Sequence, residues 1–379
     1  MKFSKRIKQF PLYFFEEIDR LKKEYKEDLI DMGIGDPDIP TPEEIVEILI
    51  KEAKNPIFHR YPPYQGFKFL KEAIKNYYKK RFDVELKEEE ILVLIGSKEG
   101  LSHLAFVLVD ENTYSLVPDP AYPAYELASK MAGGIIHKMP LKEKNNFLPL
   151  LTKIPDRVLE KTRVMYLNYP NNPTGAEANL DFFKEVVKLS KRYNFAIVND
   201  LCYAEIYEEK EPISLLMVTK KNAIEFNSLS KTFSMTGWRI AFTCGDEKII
   251  QNLAKFKTVI DNCQFGAIQK AAEYALLNYE RLNKPIREKY KERRGKLKEA
   301  LREVGMPFFD SQATFYIWAK PENFSSYEFS IEFIKKKKVL ALPGEGFGKH
   351  GKGFIRFSVT LEDNKLDEAI KRLKEFYKK

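Results

Sequence analysis

The chain has 379 residues, of which 64 are Lys or Arg and 55 are Asp or Glu, so its formal net charge is +9. Because hydrophobic residues make up 44% of the chain and charged residues 31%, it can form a sizeable core and is not expected to be disordered. The basic residues are interleaved with Glu along helical segments such as KEAIKNYYKKRF, which disfavours a nucleic-acid-binding surface.

Cysteine and histidine usage limits the kinds of site that the chain can carry. The three cysteines include no C-x-x-C pair, and the four histidines show no i, i+4 spacing with an acid between them, so neither a disulfide framework nor a metal site is expected. The N-terminal segment lacks the apolar region of a signal peptide, and no apolar stretch approaches the roughly 18 residues of a membrane span. We therefore expect a cytoplasmic protein without nucleic-acid or membrane partners.

Between residues 90 and 275, short apolar runs alternate with amphipathic segments. The predicted strands are 91–96, 113–119, 163–170, 196–200, 223–228 and 239–245. The helices predicted between them are 97–109, 122–134 and 180–194. Such alternation indicates a largely parallel sheet covered by helices on both faces. In sheets of this kind, functional groups are expected in the loops at the carboxyl ends of the strands.

The C-terminal part of the chain predicts a second, smaller unit. Helical residues 280–305 lead into three strands of a separate sheet, TFYIWAK, KKKKVLALPG and GFIRFSVT, and a helix over 364–379 closes it. Segment 28–42 is predicted as a loop before the first regular helix, and the N-terminal arm is expected to pack with the C-terminal part. We therefore predict a large cofactor-binding domain over 45–280 and a small discontinuous domain over 1–44 and 281–379.

One glycine-rich segment looks like a phosphate loop but does not qualify. Residues 346–353, GFGKHGKG, lack the hydroxyl residue that would bind Mg²⁺, and a predicted strand follows them where a helix is required. There is also no G-x-G-x-x-G after a strand and no G-x-S-x-G elbow. Nucleotide triphosphatase, dinucleotide-binding and hydrolase interpretations therefore lack support.

Polar groups follow three predicted strands in succession. The first strand end reads NYPNNPTG (168–175), the second carries Asp200 and Tyr203, and the third carries Lys231 and Arg239 within SLSKTFSMTGWR. A lysine among Ser, Thr and Gly lacks the acidic partners that a solvated loop lysine usually has. Amide, carboxylate, phenol, amine and guanidinium groups at neighbouring strand ends therefore predict one site.

This constellation resembles the pyridoxal-phosphate-dependent aminotransferases of fold type I, class I. YPNNPTG, SLSKTFSMTGWRI and PGEGFGKHGKGFIRFS are its most specific motifs, and the resemblance extends from IGDPDIPTP (34–42) to GFIRFSV (353–359). Among the subgroups, the chain is most similar to LL-diaminopimelate aminotransferases, through FPLYFFEEIDRLK, MGIGDPDIPTP, LIGSKEGLSH, PDPAYPAY and LKEKNNFLP. The resemblance implies an α/β fold, with a mostly parallel seven-stranded sheet flanked by helices and a smaller α+β domain.

The resemblance assigns the residues around the ring of pyridoxal 5'-phosphate. Lys231 is expected to bind the cofactor covalently and then to move protons, since a desolvated amine near cations has a lowered pKa. Asp200 is expected to keep the pyridine nitrogen protonated, which makes the ring an electron sink. Tyr203 and Asn172 are expected to hydrogen-bond the ring's 3′ oxygen, and Tyr122 to stack on the ring.

The cofactor phosphate is expected to bind where a helix begins. Ser97 and Lys98 lie between a strand and the following helix, so their backbone N–H groups can face an anion. Arg239 adds a bidentate charge and Ser228 a hydroxyl. Tyr61 matches a tyrosine that reaches the phosphate of the neighbouring subunit, which implies a homodimer with a shared active site.

The amino acid substrate is expected to bind at Arg356, which matches the family's α-carboxylate clamp, with Gly35 and Asn172 beside it. The implied reaction moves an amino group between an amino acid and a 2-oxo acid, with 2-oxoglutarate as the favoured acceptor. LL-diaminopimelate aminotransferase activity in lysine biosynthesis is the favoured interpretation. Aspartate, alanine, aromatic or N-succinyl-diaminopimelate transamination, a pyridoxal-phosphate β-lyase and a non-catalytic regulator stay open as alternatives.

Overall fold

The computed structural model describes residues 1–4, 7 and 16–378, so the first part of the motif FPLYFFEEIDRLK lies outside the described residues. The helices are α1 Glu16–Glu24, α2 Glu43–Glu52, α3 Lys68–Phe82, α4 Ser97–Leu108, α5 Ala124–Met131, α6 Asp156–Leu159, α7 Leu180–Tyr193, α8 Leu229–Thr232, α9 Glu247–Lys257, α10 Gly266–Leu277, α11 Tyr279–Glu303, α12 Ser326–Lys337 and α13 Asp363–Tyr377. The strands are β1 Ile30–Asp31, β2 Ile91–Leu94, β3 Tyr114–Asp119, β4 Ile135–Pro140, β5 Thr162–Leu167, β6 Ala196–Asp200, β7 Ala223–Ser228, β8 Ala241–Gly245, β9 Phe308–Phe309, β10 Tyr316–Ala319, β11 Val339–Leu340, β12 Leu342–Pro343 and β13 Ile355–Ser358.

A seven-stranded sheet forms the larger layer, with strand order β2-β8-β7-β6-β5-β3-β4. Strands β3 to β7 run parallel to one another, whereas β8 is antiparallel to both β2 and β7. The expected seven-stranded, mostly parallel sheet is confirmed. Strand β4 is absent from the strands that the sequence predicts. It lies at the sheet edge and is only partly buried, so its sequence IIHKMP lacks the continuous apolar run of the central strands.

Helices cover both faces of this sheet because the central strands are apolar on both sides. Along β5 and β6, Val164, Tyr166 and Val198 pack in a core with α4 and α9, whereas Met165 and Ile197 pack with α3, α7 and α10. Successive strand residues point to opposite faces, which gives each layer every second side chain. The sheet is therefore held between two helical layers, and its strand ends stay open for the site.

The smaller unit contains two sheets where the sequence predicted one. Strands β12-β13-β10-β9 form a four-stranded antiparallel sheet, and β1 pairs in parallel with β11. The prediction of a strand over 335–344 was wrong for its first residues. Helix α12 continues through Lys337, because lysines are favourable in the last turn of a helix, and it ends at Lys338 with φ +54°.

The N-terminal segment 28–42 is not wholly a loop, and it does not precede the first helix. Helix α1 comes before it, and Ile30 and Asp31 pair with Val339 and Leu340. No local pattern reveals a two-residue strand whose partner lies about 300 residues away in sequence. This pairing does confirm the expected packing of the N-terminal arm with the C-terminal part.

The long helix α11, which begins at Tyr279, connects the part of the chain that forms the seven-stranded sheet to the smaller unit. Arg293 of this helix forms ion pairs with Asp38 of the N-terminal segment and with Asp363 at the start of α13. The domain division at residues 44/45 and 280/281 stays a prediction. Within the part of the chain that the structure describes, no helix is long and apolar enough to cross a membrane.

Candidate active site

A cavity of about 500 Å³ is lined by the ends of β6 and β7, the start of α4, the N-terminal segment, and residues of β10, β12 and β13. The predicted site residues that line it are Gly35, Ser97, Lys98, Tyr122, Asn172, Asp200, Tyr203, Ser228, Lys231, Arg239 and Arg356. Tyr61 is the one predicted residue outside this lining, and its side chain is 87% exposed. The parallel strands thus bring together residues that are far apart in sequence.

Lys231 lies in the short helix α8, directly after β7, and its amine is largely enclosed. Its Nζ donates a hydrogen bond to the backbone oxygen of Gly35 at 2.7 Å. Among the described residues, no carboxylate forms an ion pair with it, and burial lowers the pKa of the amine below its usual 10.5. A lowered pKa raises the fraction of neutral amine, which is the nucleophilic and proton-accepting form.

Asp200 ends strand β6 and is buried. Its Oδ2 accepts a hydrogen bond from the Tyr125 hydroxyl at 2.7 Å, and its Oδ1 accepts one from the Cys202 N–H at 3.4 Å. Burial raises the pKa of the carboxyl despite these hydrogen bonds. In the described part of the chain no cationic side chain forms an ion pair with it. A buried carboxylate of this kind fits a ligand that brings a protonated nitrogen.

The start of α4 is suited to an anion. Gly96 precedes the helix with φ +122°, and a Cβ on it would lie 2.4 Å from Nη2 of Arg239. A side chain there would push the guanidinium away, so glycine lets Arg239 approach the first-turn N–H groups of Ser97 and Lys98. Neither Arg239 nor Lys98 pairs with an acid among the described residues. Helix N–H groups and nearby cations that no described carboxylate pairs with together fit a phosphate group.

Arg356 is buried on β13 at the other end of the cavity. Its Nη1 donates to Oδ1 of Asn172 at 2.8 Å, and its Nη2 donates to the backbone oxygen of Gly33 at 2.6 Å. Its Nε has no hydrogen-bond partner among the described residues. The rings of Tyr316 and Phe347 lie 4.1 and 4.6 Å from the guanidinium carbon. A buried guanidinium that forms no ion pair with a carboxylate in the described part of the chain fits the carboxylate of a small ligand.

Several site residues were missed by the sequence analysis. Tyr125, in the motif PDPAYPAY, holds Asp200, and Tyr316 places its hydroxyl 3.2 Å from that of Tyr203. Strand alternation in TFYIWAK could have shown that Tyr316 and Trp318 share a face, but not that this face borders the cavity. Only glycine fits at position 35 without a rearrangement, because a Cβ there would lie 1.8 Å from the Tyr316 hydroxyl oxygen.

Comparison with known proteins agrees with this chemistry. The family model of aminotransferase class I and II matches residues 27–373. An LL-diaminopimelate aminotransferase from Aquifex aeolicus is 45% identical over 380 residues, which cover 98% of each chain. Substrate-bound BacF from Bacillus subtilis has a TM-score of 0.94 and 36% identity, covering 100% of this chain and 98% of that chain.

A probable N-succinyldiaminopimelate aminotransferase from Thermus thermophilus has a TM-score of 0.89 and 32% identity, covering 95% of this chain and 99% of that chain. The resemblance inferred from the sequence motifs is thereby confirmed, and so is the fold that it implied. The enclosed lysine, the buried carboxylate, and the helix start with two cations beside it fit a pyridoxal-phosphate cavity. The chain belongs to the aminotransferase class I and II family, and it is a pyridoxal-phosphate-dependent transaminase acting on amino acids and 2-oxo acids.

Proposed function

We propose that this protein interconverts LL-2,6-diaminopimelate and tetrahydrodipicolinate in lysine biosynthesis, with 2-oxoglutarate and glutamate as the other substrate pair. The observation that carries this proposal is the 45% identity to an LL-diaminopimelate aminotransferase over 98% of both chains. We further propose that it works in the cytoplasm as a homodimer.

When bound, pyridoxal phosphate supplies an aldehyde that condenses with amines and a pyridine ring that withdraws electrons from the substrate α-carbon. In our proposal, the residues that hold its phosphate are Ser97, Lys98, Ser228 and Arg239. Those that hold its ring are Tyr122, Asn172, Asp200 and Tyr203. The carboxylate of Asp200 would keep the ring nitrogen protonated, because this buried group forms no ion pair with a cationic side chain of the described residues.

Lys231 and Arg356 perform the remaining tasks in this proposal. The Nζ of Lys231, whose pKa is lowered by burial, accepts a proton from the substrate α-carbon and later returns it. Arg356 binds the α-carboxylate and fixes the orientation of the bond to be broken, since its fork can make two parallel hydrogen bonds. Its buried position excludes water, which strengthens the charge interaction.

We propose that Tyr61 serves the cavity of a second copy of the chain. Its side chain is 87% exposed and does not line the cavity of its own chain. Nearby in sequence, Ile57 is 61% exposed and Tyr64 is 47% exposed, an apolar grouping that favours burial against another surface. Mixing Tyr61→Ala with Lys231→Ala protein tests this, because a mixed dimer would regain one site with both residues native. No recovery of activity on mixing would contradict a shared site.

A panel of amino donors tests the choice of substrate. LL-diaminopimelate, N-succinyl-LL-diaminopimelate, aspartate, alanine and phenylalanine are each offered with 2-oxoglutarate, and glutamate formation is measured. LL-diaminopimelate should have the highest kcat/KM. A higher value for any other donor would overturn the substrate assignment. A β-lyase would instead release pyruvate and ammonia in the absence of any 2-oxo acid, which separates that alternative from transamination.

A further inference from the structure

Tyr316 lies where three parts of the proposed site meet. It begins β10, which pairs antiparallel with β13 so that Tyr316 faces Ser358 and Trp318 faces Arg356. Residues two apart on a strand share a face, and diagonal neighbours on adjacent strands are within reach of aromatic side chains. Tyr316 is buried, only 2% exposed, and it lines the cavity.

The side chain of Tyr316 makes a separate contact to each part. Its ring lies 4.1 Å from the guanidinium carbon of Arg356. Its hydroxyl is 3.2 Å from the hydroxyl of Tyr203. The same hydroxyl fills the space where a side chain on Gly35 would lie, and the Gly35 backbone oxygen accepts the hydrogen bond from Lys231. The side chain of Tyr316 thus contacts Arg356, Tyr203 and the backbone segment at Gly35 that accepts the hydrogen bond from Lys231.

The hydrogen bonds around Tyr203 have a defined direction. Arg356 is always a donor, so its contact with Asn172 identifies Oδ1 as the acceptor and leaves Nδ2 to donate. That Nδ2 lies 3.5 Å from the Tyr203 oxygen. A hydroxyl oxygen accepts two hydrogen bonds and donates one. If the Tyr203 oxygen accepts one hydrogen bond from Asn172 and the other from the Tyr316 hydroxyl, the Tyr203 proton is free to point into the cavity.

We propose that Tyr316 is a positioning residue for this reaction: its hydroxyl donates to Tyr203 and directs the Tyr203 proton towards the cofactor's ring oxygen, while its ring supports Arg356. The inference rests on the roles proposed above for Tyr203 and Arg356. Among the described residues, Tyr203 is the hydrogen-bond partner of the Tyr316 hydroxyl, so no competing acceptor draws its proton elsewhere.

Two substitutions separate the hydroxyl from the ring. Tyr316→Phe removes the hydroxyl alone, so Tyr203 donates less reliably to the ring oxygen. The pH midpoint of the cofactor's visible absorbance should then rise by about 0.4 to 1 unit. This range is the free energy of one hydrogen bond divided by the free energy that corresponds to one pH unit. The KM for amino donors should stay near that of the parent. Tyr316→Leu also removes the ring, and KM should rise about 3- to 30-fold for every donor and 2-oxo acid.

Two further proteins distinguish positioning from a general structural role. Tyr290→Phe is the matched control, since Tyr290 is a buried tyrosine of α11 that does not line the cavity. It should leave both the midpoint and KM unchanged. In a Tyr203→Phe background, Tyr316→Phe should cause no additional shift, because Tyr316 acts on the ring oxygen through Tyr203. Thermal unfolding of the cofactor-free proteins checks that each variant is folded.

The outcomes separate this inference from the proposed function. An unshifted midpoint in Tyr316→Phe, or an equal shift in the presence and absence of the Tyr203 hydroxyl, would overturn the positioning role while the parent enzyme remains active. An unchanged KM in Tyr316→Leu would overturn the support of Arg356. A parent protein that neither binds the cofactor nor transfers amino groups would overturn the proposed function, and this inference with it.

Discussion

Replacing Arg356 by lysine retains the positive charge but removes the planar fork. In the structure Nη1 and Nη2 of Arg356 donate to Asn172 and Gly33, and the guanidinium carbon lies 4.1 and 4.6 Å from the ring centroids of Tyr316 and Phe347. A lysine can offer a substrate carboxylate one charge-assisted hydrogen bond where arginine can offer two. The loss of one such bond costs about 1.5–3 kcal/mol, and the lost ring contacts cost about 0.5–1 kcal/mol more.

The expected total for Arg356→Lys is therefore about 2–4 kcal/mol, which is roughly a 30- to 1000-fold decrease in kcat/KM. Steady-state assays should find this decrease for every amino donor and every 2-oxo acid, since all carry the α-carboxylate. Cofactor absorbance should stay normal, because the proposed phosphate site is at the other end of the cavity. Arg192→Lys, at an exposed position of α7 that does not line the cavity, is the matched control and should be nearly neutral. Loss of cofactor together with activity, or a defect for one substrate only, would show that Arg356 does not bind the shared α-carboxylate.

The geometry of the cavity supports three further predictions. Asp200→Ala should raise the activation free energy of turnover by several kcal/mol, the scale of preorganised electrostatic groups, while cofactor affinity changes little. A kcat within a few-fold of that of the parent would contradict the role of Asp200. Gly35→Ala should lower the free energy of unfolding in denaturant by about 1–3 kcal/mol, because the new Cβ overlaps the Tyr316 hydroxyl. The control Gly295→Ala, at a position of α11 with open space around it, should raise that free energy by about 0.5–1 kcal/mol. Burial lowers the pKa of Lys231, so the rate at which the apo-protein binds pyridoxal phosphate should rise with pH around a midpoint below the usual lysine pKa of 10.5. A midpoint at or above that value would count against an enclosed amine.

The large sheet could be predicted because its strands carry their own local signal. The predicted strands 196–200 and 223–228 agree with β6 and β7 to the residue, and every residue of both strands is buried. Elements at the periphery gave no such signal. The partly polar edge strand β4 and the two-residue strands β1 and β9 depend on partners that the tertiary fold supplies, whereas β11 and β12 lie within the predicted strand 335–344.

The candidate site could be predicted where a motif ends a strand, as at Asp200 and Lys231. The contacts that tune these groups could not. The hydrogen bond from Tyr125 to Asp200 joins α5 to β6, and the stack of Tyr316 on Arg356 depends on the register of two short strands. Both arise from tertiary packing. The roles that the resemblance assigns to individual residues remain predictions that the substitutions above can test.

The lysine that binds the cofactor can be identified directly by chemical labelling. The holoenzyme is reduced with borohydride, digested, and mapped by mass spectrometry for the peptide that carries the pyridoxyl group, with Lys231→Ala protein as the control. Label is expected on Lys231 in the parent protein and at no site in the variant. Label on a different lysine, or equal labelling of the Lys231→Ala protein, would contradict it.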